Sequence, residues 1–193
     1  MHDSFLIAES TMTTAQQGTA DVRYPIGKLS RKSVLTPEER AAAIDAIAVA
    51  PTNLADAVSG LSEAQLDTPY RPGGWTVRQL VHHVADSHIN AYTRLRFALT
   101  EDNPTIRPYE EAVWAELPDA RMLPVSVSLS LLQALHERWV FLLRELPHDQ
   151  FARPLTHPEN GPMSVDGLVN TYAWHGRHHT AHVTALRERM GWS

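Results

Sequence analysis

Apolar residues recur at spacings of three and four in four separated stretches, and helix start or stop chemistry marks the ends of each stretch. Thr36-Pro37-Glu38-Glu39 offers a capping hydroxyl, a proline at the first helical position and acids at the positive end of the helix dipole. It predicts a first helix running to about Ala50, kinking at Pro51 and continuing through Leu54, Ala57 and Val58 to Gly60. Ser62 opens a short helical turn through Leu66, and residues 67–74, rich in Pro and Gly, read as a loop. Thr76-Val77-Arg78-Gln79 has capping-box spacing with Trp75 placed before the cap, so a second long helix starts there and reaches about Thr100. Leu132, Leu135, Trp139, Leu142 and Leu146 mark a third helix that starts at Ser126 or Ser128 and stops at Pro147. Ser164 and Asp166 cap a fourth, which runs to Met190 before Gly191.

Residues 101–123 hold Pro104, Pro108 and Pro118 and are followed by Pro124, so they form a long connection with at most a short helix near 110–116. Residues 157–162 carry turn chemistry, and no window alternates with period two for long enough to argue a sheet. The fold class that follows is all-α, a four-helix bundle with long crossover connections. Residues 1–22 are small and polar without periodicity and read as a disordered leader, leaving residues 23–193 as one domain. Pro25 makes residues 23–28 an extended arm.

Composition narrows the function. The 193 residues carry 17 Lys and Arg against 22 Asp and Glu, a formal charge of -5, which offers no footprint for a phosphate backbone and argues against nucleic acid. Phe5 to Ala8 is too short for a signal-peptide core, and no run approaches the roughly 18 apolar residues of a membrane span, so the expectation is a soluble, cytoplasmic protein with no membrane partner. With no cysteine, disulfides and thiolate zinc sites are excluded, and any thiol in the chemistry must come with a substrate. The anomaly is histidine: of 11 in the chain, most lie in two short windows.

His175 and His179 are four residues apart, roughly 40° on a helix, one turn up the same face. Leu168, Tyr172 and Leu186 fall within about 60° of His175, so the pair lies on the apolar stripe and points into the bundle. On the second helix His83 shares a face with Gln79, Leu80, Ser87, Asn90 and Arg94, whereas His82 and His88 point elsewhere. Asp86 flanks His83, where its carboxylate could receive a ring N–H or contact water. Three imidazoles from two helices would leave at least one position open on a divalent ion, the pattern of a catalytic site, and would make a water or thiol there more acidic. The competing reading is a set of hydrogen-bonded core histidines, and spacing alone does not choose between the two. His2, His136, His148 and His157 read as solvent or loop polarity, and His82, His88 and His178 as surface or interhelix hydrogen bonding. Arg94 and Arg96 read as ordinary helix charges, Arg94 with the option of facing an anionic substrate, and Trp139 and Trp174 as packing residues.

The run from Gly74-Trp75-Thr76 through His83-Val84-Ala85-Asp86 resembles the Trp-Ser/Thr to His-x-x-Asp signature of the DinB-like superfamily, and Trp174-His175-Gly176-Arg177-His178-His179-Thr180-Ala181-His182 resembles its C-terminal histidine motif. Residues 23–28, 66–74, 99–108, 136–139 and 156–159 are similar to the YfiT branch, which includes metal-dependent hydrolases and bacillithiol transferases. The resemblance implies a four-helix bundle, a homodimer, and one Zn²⁺ or Ni²⁺ held by His83, His175 and His179. The expected activity is metal-dependent hydrolysis of a small-molecule substrate, with Asp86 assisting beside the ion. One alternative is an S-transferase that adds a low-molecular-weight, bacillithiol-like thiol to an electrophile. Another is a non-catalytic metal-binding stress module, in which a side chain such as His182 would plug the open position. Asp86, His182 and Glu137 are the candidate general bases.

Overall fold

The helix starts expected at Thr36 and Thr76 both form, each as a capping box. Thr36 accepts from Glu39 N while the Glu39 carboxylate accepts from Thr36 N, and Thr76 pairs with Gln79 in the same reciprocal way. They start α1 (Pro37–Val58) and α3 (Val77–Thr100); between them Ser62 caps the single turn α2 (Glu63–Leu66). Ser164 accepts from Gly167 N at the start of α7 (Val165–Met190), and Gly191 at φ 65° supplies the left-handed residue that closes it. The structure, a computed structural model, describes residues 21–192. The expected leader lies outside the described residues apart from Asp21 and Val22.

Three sequence expectations are corrected in the connections. First, α6 (Val125–Glu145) begins directly after Pro124, which acts as its N-cap without a side-chain bond. Ser128 is turned inward instead, its Oγ 2.7 Å from His82 Nδ1. Second, the crossover holds two short helices, α4 (Glu111–Trp114) and α5 (Pro118–Met122), where one was expected; Pro118 at the first position nucleates the second. Third, a small sheet exists: after a 3-10 turn (His148–Ala152), β1 (Pro154–His157) pairs antiparallel with β2 (Gly161–Ser164), Leu155 opposite Met163. Strands of four residues are too short for a period-two pattern to show. Residues 23–28 are also two turns rather than an extended arm, with Gly27 N donating to Tyr24 O and Gly27 at φ 77°. This segment lies on α7, where Trp174 Nε1 donates to Gly27 O and Asn170 Nδ2 to Ser30 O.

The long helices α1, α3, α6 and α7 form the bundle; α1 packs on α7 and α6, and α3 packs on α6 and α7. Two apolar clusters give the directions. Ile44 and Ile47 of α1, Leu95 and Ala98 of α3, Trp139 and Leu143 of α6, and Leu168 and Val169 of α7 share one cluster. Leu54 and Val58, Leu80 and Val81, Leu132, and Val183 and Leu186 share the other. The early half of α1 is therefore level with the early half of α7 but with the late halves of α3 and α6. The order is up, down, down, up, so the chain must travel back along the bundle between the parallel helices α3 and α6, which is why residues 101–124 are long. By length and composition α1 could cross a membrane, yet its Ile44, Ile47 and Leu54 are core residues here. It approaches α7 tightly at Gly176, where an added Cβ would lie 2.9 Å from Ala50 Cβ, so only glycine permits that approach.

Candidate metal centre

Between the two apolar clusters lies a layer of buried histidines. His83 from α3 and His175 and His179 from α7 meet there, one ring nitrogen of each within 4.8 Å of the others. Among the described residues this is the group of three or more His, Cys, Asp or Glu side chains placed to share one ion. The helical phase that points His175 and His179 inward also sets His83 against both, with ring centroids 5.4 and 5.0 Å away. Trp75, the residue before the α3 cap, packs its ring 4.6 Å from that of His83 and holds it from the other side.

Burial makes these rings poor bases and available donors. It pushes His83 down to about 4, and it carries His175 and His179 well below the usual imidazole value, helped by the neighbouring rings. The Nδ1 atom of His179 is buried without a hydrogen-bond partner among the described residues. Neutral rings with bare nitrogens, one of them orphaned, fit a divalent cation of the zinc or nickel type. His175 also lines a cavity of about 180 Å³, together with Ser87, Tyr172, Arg94, Arg31 and Glu111 among others. Arg94 donates from Nη2 to Arg107 O, and its Nε is buried with no partner among the described residues.

The remaining candidates separate clearly. Asp86 is half-buried on α3, and among the described residues its carboxylate makes no hydrogen bond to a ring of the cluster. Burial and then Asp119 raise it to about 6. His182 does not plug the site; its Nε2 lies 3.1 Å from His178 Nε2 within α7, and its ring packs on Tyr70. Glu137 is exposed, bonded to Gln133. His82 and His88 make the interhelix hydrogen bonds expected of them, whereas His178 bonds within its own helix.

His136 is corrected: it is 2 % exposed, not solvent-facing, with Nε2 2.7 Å from His88 Nδ1 and Nδ1 2.7 Å from Ile47 O. His88 in turn reaches His175 Nδ1 at 3.0 Å. The signal was in the sequence, since His136 follows Leu132 by four residues and precedes Trp139 by three, which is the true inward stripe of α6. His157, read as loop polarity, lines the cavity together with Arg31 and Glu111. No periodicity could reveal those three, because a turn segment, a hairpin and a short crossover helix bring them there.

These buried neutral rings predict the acid sensitivity of the ion-free protein. His83 and His136 take a proton near about 4 in the folded state and near 6.5 when unfolded. The unfolded chain therefore binds more protons between those values, and stability falls as pH drops through that window, by about 1.4 kcal/mol per pH unit for each ring. Asp86 works in the opposite sense: raised from 3.8 to about 6, it favours the folded protein as pH falls from about 6, and offsets one ring. Urea unfolding of the ion-free protein should give a lower midpoint at pH 5 than at pH 7; an equal or higher midpoint at pH 5 contradicts the neutral buried layer.

The comparisons agree with this architecture. The DinB superfamily profile matches residues 46–183. A Bacillus cereus protein named "Putative metal-dependent hydrolase" is 53% identical over 172 residues, covering 89% of this chain and 99% of its own length. A protein of the same description from Bacillus thuringiensis subsp. konkukian gives the same identity and coverage, 53% with 89% and 99%. Among solved structures, YfiT from Bacillus subtilis, described as "a probable metal-dependent hydrolase with an unusual four-helix bundle topology", superposes with a TM-score of 0.87 at 46% identity, covering 89% of this chain and 99% of that one. The four-helix bundle protein TT2238, at 20% identity and a TM-score of 0.53, covers 76% of this chain and 98% of its own and shares the fold.

Proposed function

The chain belongs to the DinB superfamily, and on that premise we propose that it is a metal-dependent hydrolase in which His83, His175 and His179 hold one Zn²⁺ or Ni²⁺. The observation that carries this reading is the meeting of three neutral imidazoles beside a cavity, with His182 turned to His178 instead of into the site. When bound, such an ion supplies Lewis acidity that makes water or a thiol nucleophilic at neutral pH. The chain's own residues do the rest. Arg31 and Arg94 bring positive charge to the cavity and orient an anionic group of a small-molecule substrate. Asp86, raised to about 6, is matched to accept a proton near neutral pH.

A second reading is favoured by one feature. The cavity carries charge of both signs, Arg31 and Arg94 with Glu111, which suits a zwitterionic co-substrate such as a low-molecular-weight thiol with amino and carboxylate groups. The chain has no cysteine, so a thiol transferase must take its sulfur from solution. Incubating zinc- or nickel-loaded protein with activated esters, amides and alkyl halides, with and without a low-molecular-weight thiol, separates the readings. Turnover without thiol is expected for a hydrolase; turnover only with thiol rejects hydrolysis in favour of S-transfer. No turnover in either arm would favour a metal-binding module over both.

A further inference from the structure

Ile47 stands four residues before Pro51 in α1, and the helix runs unbroken through both. In a regular α-helix the Ile47 carbonyl would accept the N–H of residue 51, but proline has none. The vacated carbonyl is the acceptor that His136 Nδ1 meets at 2.7 Å. A carbonyl can only accept, so His136 Nδ1 carries the hydrogen. A neutral imidazole holds one N–H, which leaves His136 Nε2 a bare acceptor. His88 Nδ1, 2.7 Å away, therefore donates to it. The same logic leaves His88 Nε2 bare, and His175 Nδ1, 3.0 Å away, donates to that. The chain of donors ends with a bare Nε2 on His175, the nitrogen left to face Ser87 and the cavity.

We propose that Pro51, the Ile47 carbonyl, His136 and His88 form a positioning chain that fixes the tautomer of His175 and presents its Nε2 lone pair to the ion. The inference rests on the reading of His175 as a metal ligand. His88 and His136 are 0 % and 2 % exposed, and among the described residues none of the hydrogen bonds of the three rings goes to a carboxylate. Burial without a carboxylate partner disfavours the cationic ring, which would donate at both nitrogens and break the alternation. A ligating histidine is ordinarily oriented by a carboxylate or carbonyl in direct contact; here a carbonyl does so through two rings, placing no negative charge beside the site. Gly176 belongs to the same device, because the close approach of α1 to α7 that it allows occurs beside His88.

The test uses the full chain freed of metal and labelled with ¹⁵N-histidine, with zinc alone as the binding probe. Long-range proton–nitrogen correlation should show His175 protonated at Nδ1 and bare at Nε2. His136→Leu removes both acceptor and donor, while His136→Gln keeps an amide N–H for Ile47 O and a carbonyl for His88. The leucine variant should weaken the zinc Kd by about 10–100-fold and shift His175 toward the Nε2-protonated form, and the glutamine variant should restore most of both. Finding Nε2 protonated in the unmodified metal-free protein overturns the proposal. So does an unchanged zinc Kd in a folded His136→Leu. If the leucine variant does not fold, the tautomer in the unmodified and glutamine proteins decides alone. Zinc binding nowhere on a chain whose His175 is protonated at Nδ1 would sink the ligand reading and leave the donor chain supported.

Discussion

Replacing His83 and His179 together by alanine is expected to abolish the stoichiometric binding of Zn²⁺ or Ni²⁺ proposed for this site while the helical bundle persists. Two of the three converging ring nitrogens are lost, and a single imidazole does not hold a divalent ion against water. Truncating buried rings leaves cavities that destabilise, but His179 Nδ1 is already a buried atom without a partner among the described residues, so removing it also relieves a desolvation cost. Elemental analysis after dialysis against excess metal, paired with far-ultraviolet circular dichroism, measures both halves. A folded double variant that keeps one ion per chain would show that the site lies elsewhere.

The second large effect concerns stability. Asp166, in the first turn of α7, takes a forked ion pair from Arg40 in the first turn of α1, Nε to Oδ1 at 2.7 Å and Nη2 to Oδ2 at 2.9 Å, and also accepts Leu35 N at 3.0 Å. Arg40 and Asp166 are 7 % and 3 % exposed, and the guanidinium lies over the Phe151 ring at 4.3 Å. Asp166→Ala strands a buried cation and a backbone N–H, so it should lower the unfolding free energy by about 3–5 kcal/mol. Combining Arg40→Met with Asp166→Leu should recover most of that loss, because no charge is then orphaned. Urea unfolding at pH 7 reads both; a double variant as unstable as Asp166→Ala alone would place the cost in packing rather than in the unpaired charge.

Much of the fold was legible because it rests on local rules. Thr36 and Thr76 announce helix starts through a hydroxyl three residues before a Glu or Gln, and those bonds form within one turn whatever the rest of the chain does. His83, His175 and His179 could be chosen from helical phase because each sits on a long helix with an apolar stripe as reference. His136 was misread for an informative reason. Its helix also carries Leu135 and Leu142, which flank the true stripe and draw attention from the Leu132, His136 and Trp139 spacing that turns the ring inward. The hairpin and α5 were hidden by brevity, since four or five residues do not complete a recognisable period.

The sequence by itself determined the four long helices, the caps of three of them, the exclusion of thiolate chemistry and the inward phase of His83, His175 and His179, because each depends on neighbours within about two turns or on composition. Only the tertiary structure decided what surrounds those histidines. Arg31, His157 and Glu111 reach the cavity from segments far apart in the chain, and the packing of α1 on α6 brings the Ile47 carbonyl, freed by Pro51, to the end of the chain through His136 and His88. Periodicity reports which way a side chain points from its own helix. It does not report what stands opposite, which is fixed by how the helices pack.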